Sequence, residues 1–310
     1  MAKWFNEYCS IPQSGIEKIM DIVGKYKFID LFAGIGGFHL ALEELGGECV
    51  FASEIDPYAR QTYEANHRSS NPGLFENGYF AGDISDVNEN EIPDFDILCA
   101  GFPCQPFSQA GYKKGFQDTK NNRGNMFFEI VRILEAKKPR AFFLENVRHL
   151  KNHDDGRTME TIEKLLRKLG YSFYWQIIKA SDFGLPQHRP RIFIVGFLDD
   201  ERDSFEFPDA VPLEMFMSDI FGEPCNKSVG YTLRVGGKSS GLNDRRNWDT
   251  YMVNGKIVKL NSTTGKKMQG FPDGFEFPVS ETQAMKQLGN SVAVPAVKAT
   301  AQKVFEYLNG

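Results

Sequence analysis

Two short stretches hold residues whose types and placement could do chemistry together. Gly101-Phe102-Pro103-Cys104-Gln105-Pro106-Phe107-Ser108 follows the apolar run Phe95-Asp96-Ile97-Leu98-Cys99-Ala100. A strand that runs into Gly, Pro, a thiol and a second Pro cannot continue as sheet or helix, so Cys104 is expected at a strand's carboxyl edge. That edge is where an open α/β sheet binds its ligands. Phe142-Phe143-Leu144-Glu145-Asn146-Val147 repeats the design, with an apolar strand ending in a carboxylate that burial would keep partly protonated. A thiol nucleophile and a carboxyl proton donor on two strand ends are the minimum apparatus for adding to an electron-poor ring and then protonating it. Each residue alone has a plainer reading, since free Cys is among the most buried residue types and a strand-end Glu is commonly a helix cap or surface acid. Their joint occurrence, in order, outweighs it.

The elements that must position these residues follow from alternating short apolar runs and amphipathic stretches over the first 200 residues. Strands are expected at 27–32, 49–54, 95–100, 141–145, 171–178 and 192–197, with helices at 37–45, 58–66, 126–136 and 158–169. This is the βαβ rhythm of an α/β, doubly wound sheet. Residues 199–280 are rich in Gly, Pro, Asp and Asn and predict a smaller, loop-rich domain. Helix returns at 294–308, with Pro295 in its first turn. The expected division is 1–198 plus 281–310 for the large domain and 199–280 for the small one.

A ligand side is visible at Phe28-Ile29-Asp30-Leu31-Phe32-Ala33-Gly34-Ile35-Gly36-Gly37. Glycines after a first strand let the backbone turn tightly and approach a ligand, and the next helix N-terminus favours polar or negative groups. Alone they fit an ordinary tight turn as well. The next strand ends at Ser53-Glu54-Ile55-Asp56, and Glu54, 20 residues after Gly34, suits a ribose diol. The run departs from GxGxxG and no phosphate-binding lysine follows it, so an adenosine without pyrophosphate fits better than NAD or ATP.

With 310 residues and 41 % hydrophobic content the chain can bury one large core and a smaller one. No apolar run approaches about 18 residues, and no leader pattern opens the chain. A soluble, cytoplasmic protein is expected. Cys9, Cys49, Cys99, Cys104 and Cys225 form no CxxC or paired spacing, which points to neither a disulfide framework nor a metal site. Net charge is −5, yet residues 222–270 hold nine Lys or Arg against three acids. A basic module on an acidic body can hold a phosphate backbone, although charge alone suits a merely soluble face equally well.

Pro103-Cys104-Gln105, Glu145-Asn146-Val147 and Gln187-His188-Arg189-Pro190-Arg191, in that order, resemble the DNA (cytosine-5) methyltransferases. The resemblance covers residues 28–197 and 260–298. It implies a Rossmann-like sheet binding S-adenosyl-L-methionine beside a target-recognition domain. Cys104 would add to carbon 6 of cytosine, Glu145 would protonate ring nitrogen 3, and Arg191, with Arg189 as a second candidate, would orient the ring oxygen. Phe32, Ala33, Gly34, Gly36 and Gly37 would surround the amino-acid part of the cofactor. Glu54 would hold the ribose, Ile55 would pack on the adenine, and Asp83, beside Ile84, would take the adenine amino group. Asn290 and Ser291 would close the site. Read without the resemblance, Asp83 and Asn290 are turn residues.

The resemblance also implies double-stranded DNA as partner and a cytosine flipped from the stack. Residues 109–125, rich in Gly, Lys and Asn, suit a loop closing over DNA or a passive connection. Tyr231-Thr232-Leu233-Arg234 resembles the family's Thr-Leu recognition element. Candidate DNA-binding residues are Arg234, Lys238, Ser239, Arg245, Arg246 and Asn247, Arg and Asn for base edges and Lys for phosphates, over about four to five base pairs. Two departures stand out. Thr263-Thr264 replaces the family's usual Arg-Glu pair, and residues 1–26 have no assignable counterpart. The implied context is a restriction-modification system, with a monomeric methyltransferase and a cognate endonuclease. Alternatives are the tRNA-methylating branch of the family, a DNA-binding protein without turnover, and an NAD oxidoreductase; the last lacks both a longer glycine signature and a hydride-transfer pair.

Overall fold

The computed structural model describes residues 26–103, 126–235, 241–244 and 246–310. Cys104, the 109–125 stretch, Lys238, Ser239, Arg245 and residues 1–25 lie outside the described residues. Strands β1 (Lys27–Leu31), β2 (Glu48–Ser53), β3 (Phe80–Ala81), β4 (Ile97–Gly101), β5 (Ala141–Val147), β6 (Tyr174–Lys179) and β7 (Pro190–Phe197) make one sheet in the order β3-β2-β1-β4-β5-β7-β6. All neighbours are parallel except β7, which is antiparallel to β5 and β6. The expected alternation is therefore present, with a reversed strand inserted at one side.

Helices α1 (Gly37–Glu43), α2 (Pro57–His67), α3 (Pro72–Glu76), α4 (Met126–Lys137) and α5 (Arg157–Lys168) alternate with the strands. Both sheet faces are covered, which is why the strands read as near-continuous apolar runs. Phe28, Cys99 and Phe143 pack in one layer with Phe38 of α1 and Tyr63 of α2. Ile29, Leu98 and Phe142 pack in the other with Ile130 and Leu134 of α4 and Ile162 of α5. Local signals set the starts: Asp56 caps α2 by accepting from the Tyr58 and Ala59 amides, with Pro57 in the first turn. The expected strand at 171–178 begins later, at Tyr174, because Gly170 turns with φ +95° and Tyr171 makes only an isolated bridge to Leu198.

Residues 199–280 are loop-rich, as expected. They hold α6 (Met217–Phe221), the hairpin β8 (Thr250–Val253) and β9 (Lys256–Lys259), and α7 (Ser262–Gln269); α8 (Glu281–Asn290) and α9 (Val294–Asn309) follow. Met217, Tyr251 and Met268 share one apolar cluster with Leu288 and Val297, so α8 and α9 anchor this segment to the sheet. At the Thr263-Thr264 departure, Asn261 and Thr264 form a reciprocal capping box, and Glu281 accepts from both the amide and hydroxyl of Ser262 at 2.6 Å. The helix start is secured without the family's usual pair. Among the described residues no helix is long and apolar enough to cross a membrane.

Candidate active site

Strand order reverses between β1 and β4, so the loops leaving their carboxyl ends diverge. The crevice there is a cleft of about 1090 Å³. At its centre stands Glu145, 8 % exposed, opposite Gly101 on β4 and Phe193 on β7. Arg191 Nε lies 2.8 Å from Glu145 Oε1. Burial pushes the Glu145 carboxyl up, the charges of Arg191 and Arg189 pull it down, and the net position is above the usual carboxylate range. A Cβ at Gly101 would sit 3.7 Å from Glu145 Oε2, so glycine keeps open the space in front of the carboxyl. Buried Asn146 donates to the Phe102 carbonyl at 2.8 Å and thereby fixes the segment that leads to Cys104. Phe102 and Pro103 line the cleft with Glu145 and Arg191.

At the other end of the cleft the chain leaves β1 through Phe32 and Gly34, both in the left-handed region, with φ of 56° and 58°. Glu54 accepts from the Gly34 amide at 2.8 Å through one oxygen and from the Asp56 amide at 2.7 Å through the other. It ties two strand-end turns together and keeps lone pairs for further donors such as a diol. Burial raises its carboxyl, with the Asp56 and Gly34 amides opposing. Beside it Ile55 is 68 % exposed, a bare apolar plate. Asp83 accepts from Ser85 through amide and hydroxyl, so it does turn work while lining the cleft with buried Ile84. Asn290 and Ser291 form the facing wall, and Lys286 straps α8 to Asp56 at 2.9 Å.

Three of the glycine-run residues depart from expectation. Ala33, Gly36 and Gly37 do not line the cleft. A Cβ on Gly36 would meet His67 Nε2 at 2.2 Å, and one on Gly37 would meet Val292 Cγ2 at 2.5 Å, so packing alone requires glycine at both positions. Ala33 donates its amide to Ser53 and joins β1 to β2.

His39, Glu43 and His67 come within 4.8 Å of one another behind this turn. The two imidazoles are stacked, with centroids 4.1 Å apart and planes 17° apart, so their in-plane lone pairs run side by side and do not converge on a cation. They are buried, neutral packing groups. Burial lowers His67 to about 4 from 6.5. The unfolded chain therefore takes up this proton first, and stability is complete above pH 6.5 and falls as pH drops toward 4. We expect about 3 kcal/mol of unfolding free energy to be lost over that window from His67, by urea denaturation. His67→Gln should reduce that slope, leaving the share of His39, which burial also holds well below its ordinary value; an unchanged pH dependence would contradict the assignment.

Two further expectations are corrected. Arg189 is 1 % exposed and donates to the carbonyls of Leu233 at 3.1 Å, Gly289 at 3.0 Å and Ser291, so its guanidinium is spent on backbone and does not face a cytosine. Asn247 lines the cleft but is 5 % exposed; its side chain donates to the Leu242 and Thr250 carbonyls and accepts from the Thr250 amide, so its polar atoms brace a turn in place of reaching for a base edge. Arg246 is exposed but paired with Asp244 at 3.0 Å. Arg234 is exposed and lines the cleft. The sequence reading missed the strap Lys286–Asp56 and the buried amide Gln269; the former carries no local signal, and the latter is of a type usually found at the surface.

The model of the C-5 cytosine-specific DNA methylases matches residues 26–235 and 229–306. The Type II methyltransferase M.NlaX of Neisseria lactamica is 44 % identical over 312 residues, covering 90 % of this chain and 96 % of that one. M.HaeII of Haemophilus aegyptius, also a Type II methyltransferase, is 42 % identical, covering 92 % and 94 %. A crystal structure of a Spodoptera frugiperda DNMT2 variant superposes with a TM-score of 0.69 at 17 % identity, over 91 % of this chain and all of that one, which shows a shared fold. Glu145 and Arg191 thus meet inside a chain whose family match and relatives both point one way, and the chain belongs to the C-5 cytosine-specific DNA methylase family, as a DNA (cytosine-5) methyltransferase.

Proposed function

We propose that this enzyme flips a cytosine from a short duplex site and methylates its carbon 5 from S-adenosylmethionine through a covalent adduct on Cys104. Its setting would be a type II restriction-modification system, where it protects host DNA from a cognate endonuclease, as a cytoplasmic monomer. Residues 1–198 plus 281–310 would carry catalysis and 199–280 recognition. The observation that carries the reading is the pairing of buried Glu145 with partly buried Arg191, opening on the same cleft as Glu54 and Ile55.

Carbon 5 of cytosine is a poor nucleophile, so the ring must first become enamine-like. The Cys104 thiolate adds at carbon 6, and Glu145 delivers a proton to nitrogen 3, where charge would otherwise accumulate. Arg191 donates to the ring oxygen and holds the base edge against Glu145. S-adenosylmethionine, when bound, supplies an electrophilic methyl group for carbon 5. The carbon 5 proton then passes to water and the nitrogen 3 proton returns to Glu145, which restores the carbon 5–carbon 6 double bond as the Cys104 thiolate departs.

The cofactor fits the groups present. Ile55 offers an adenine face an uncovered apolar surface, Glu54 an acceptor for the ribose, and Gly34 an open approach with nothing within 4 Å of where a Cβ would stand. Phe32, Asp83, Ile84, Asn290 and Ser291 complete the wall. Glu54→Gln places an amide NH₂ against backbone donors, and we expect the KM for S-adenosylmethionine to rise about 10- to 100-fold, from the loss of a charge-assisted hydrogen bond. An unchanged KM in initial-rate assays would remove Glu54 from the cofactor site.

For DNA, Arg234 at the cleft is the base-reading candidate among the described residues, joined outside them by Arg245 for base edges, Lys238 for phosphates and Ser239 as a further DNA-binding candidate. The test of the whole reading is bisulfite sequencing of a plasmid from cells expressing the protein. Methylation confined to one short motif is the expected result. Unmodified DNA with folded enzyme present would overturn it and redirect the search to tRNA.

A further inference from the structure

Arg189, freed from catalysis by the correction above, forms with Gln187 and Gln269 a buried polar junction between two segments with different ligands. Gln187, fully buried, accepts from the Leu233 amide at 3.0 Å and donates to the Met268 carbonyl at 2.8 Å. Its amide also reaches Gln269 Oε1 at 3.2 Å, and Gln269 donates onward to the Leu288 carbonyl at 2.6 Å. Arg189 holds Leu233 through one guanidinium nitrogen and Gly289 and Ser291 through another. At the same point a Cβ on Gly289 would lie 2.5 Å from the Arg234 carbonyl carbon and oxygen and 2.8 Å from the Val235 amide. The backbone of the recognition segment thus rests directly on the backbone of the cofactor wall. Both segments line the one cleft.

We infer that Arg189, seconded by Gln187, is a positioning residue that makes the Leu233–Val235 segment and the Gly289–Ser291 wall move as one body, so that cofactor and DNA reinforce each other's binding. This rests on the proposed reading that the cleft takes S-adenosylmethionine at one end and DNA at the other. Unsatisfied buried carbonyls are costly, so displacing either segment would orphan groups on the other. A ligand that fixes one segment therefore fixes its neighbour at no further ordering cost, and linkage makes the effect reciprocal.

The experiment measures the dissociation constant of a labelled duplex carrying the methylated motif with and without saturating S-adenosylhomocysteine, and the reverse titration, in wild-type enzyme and Arg189→Lys. Lysine keeps the charge and loses the fork that spans three carbonyls. In wild-type enzyme each ligand should tighten the other by the same factor, at least about fivefold. In the variant both still bind, the factor falls toward one, and KM for both substrates rises more than kcat falls. A wild-type factor of one, or an unchanged factor in the variant with kcat alone reduced, would overturn the inference, the latter by returning Arg189 to the base. Should the variant not fold, hydrogen exchange decides in wild-type enzyme: S-adenosylhomocysteine should slow the peptide containing residues 231–235, and no change there overturns the inference. Failure of S-adenosylhomocysteine to bind wild-type enzyme at all would instead overturn the cofactor reading.

Discussion

Glu145→Gln is expected to lower the single-turnover rate of methyl transfer by about 10²–10⁴-fold, the range of a positioned general acid, while leaving the affinity for duplex DNA largely intact. Gln fills the same volume on β5, keeps an oxygen to accept from Arg191 Nε, and cannot release a proton to nitrogen 3. The pH profile supplies an independent readout. Burial holds the Glu145 carboxyl above its ordinary range despite the opposing arginines. The protonated acid is the active form, so kcat/KM should decline as pH rises through that raised pKa. The variant should lose this alkaline limb and show only the rise set by thiolate formation. A variant that retained the limb would show that another group delivers the proton, and Glu145 would become a structural partner of Arg191.

The parts of the site visible in the sequence are those where backbone and chemistry share a signal. Gly101 and Pro103 end an apolar strand, so the position of Cys104 after β4 is readable, and Glu145 ends a second apolar run opposite Gly101. Glu54 stands at a strand end for the same reason. What stayed hidden depends on which way a side chain turns. Arg189 and Arg191 are two residues apart, a spacing that in a strand puts both on one face, but β7 begins at Pro190 and Arg189 lies in irregular backbone before it, free to turn into the interior. Gln187 and Gln269 belong to a type found mostly at the surface, and only the tertiary fold shows that each answers buried carbonyls. Other features were present as local signals and went unread. Asn254-Gly255, with φ of 46° and 72°, is the tight-turn pair of the β8–β9 hairpin, and Ser280 before Glu281 caps α8 by accepting from Gln283.

Cys104→Ser should reduce methylation by at least about 10³-fold, because a serine hydroxyl is scarcely ionised at neutral pH and is a far weaker nucleophile than a thiolate toward carbon 6. DNA and cofactor binding should persist, since the substitution changes one atom. The cysteines among the described residues cannot stand in. Burial pushes the thiols of Cys49 and Cys99 up, well away from thiolate character, and both lie inside the sheet among apolar side chains. Cys225 pairs with Asn226 beside the β8 hairpin and does not line the cleft. A duplex carrying 5-fluorocytosine at the target makes the assignment covalent, because fluorine cannot leave as a proton does and the adduct persists after methyl transfer. Wild-type enzyme should give a protein–DNA species that survives denaturant in the presence of S-adenosylmethionine, and Cys104→Ser should give none. A variant that still forms that species, or still turns over, would place the nucleophile elsewhere. In that case the Asn146 bond to Phe102 that fixes the Gly101–Pro103 segment would serve the shape of the cleft and not the aim of a thiol.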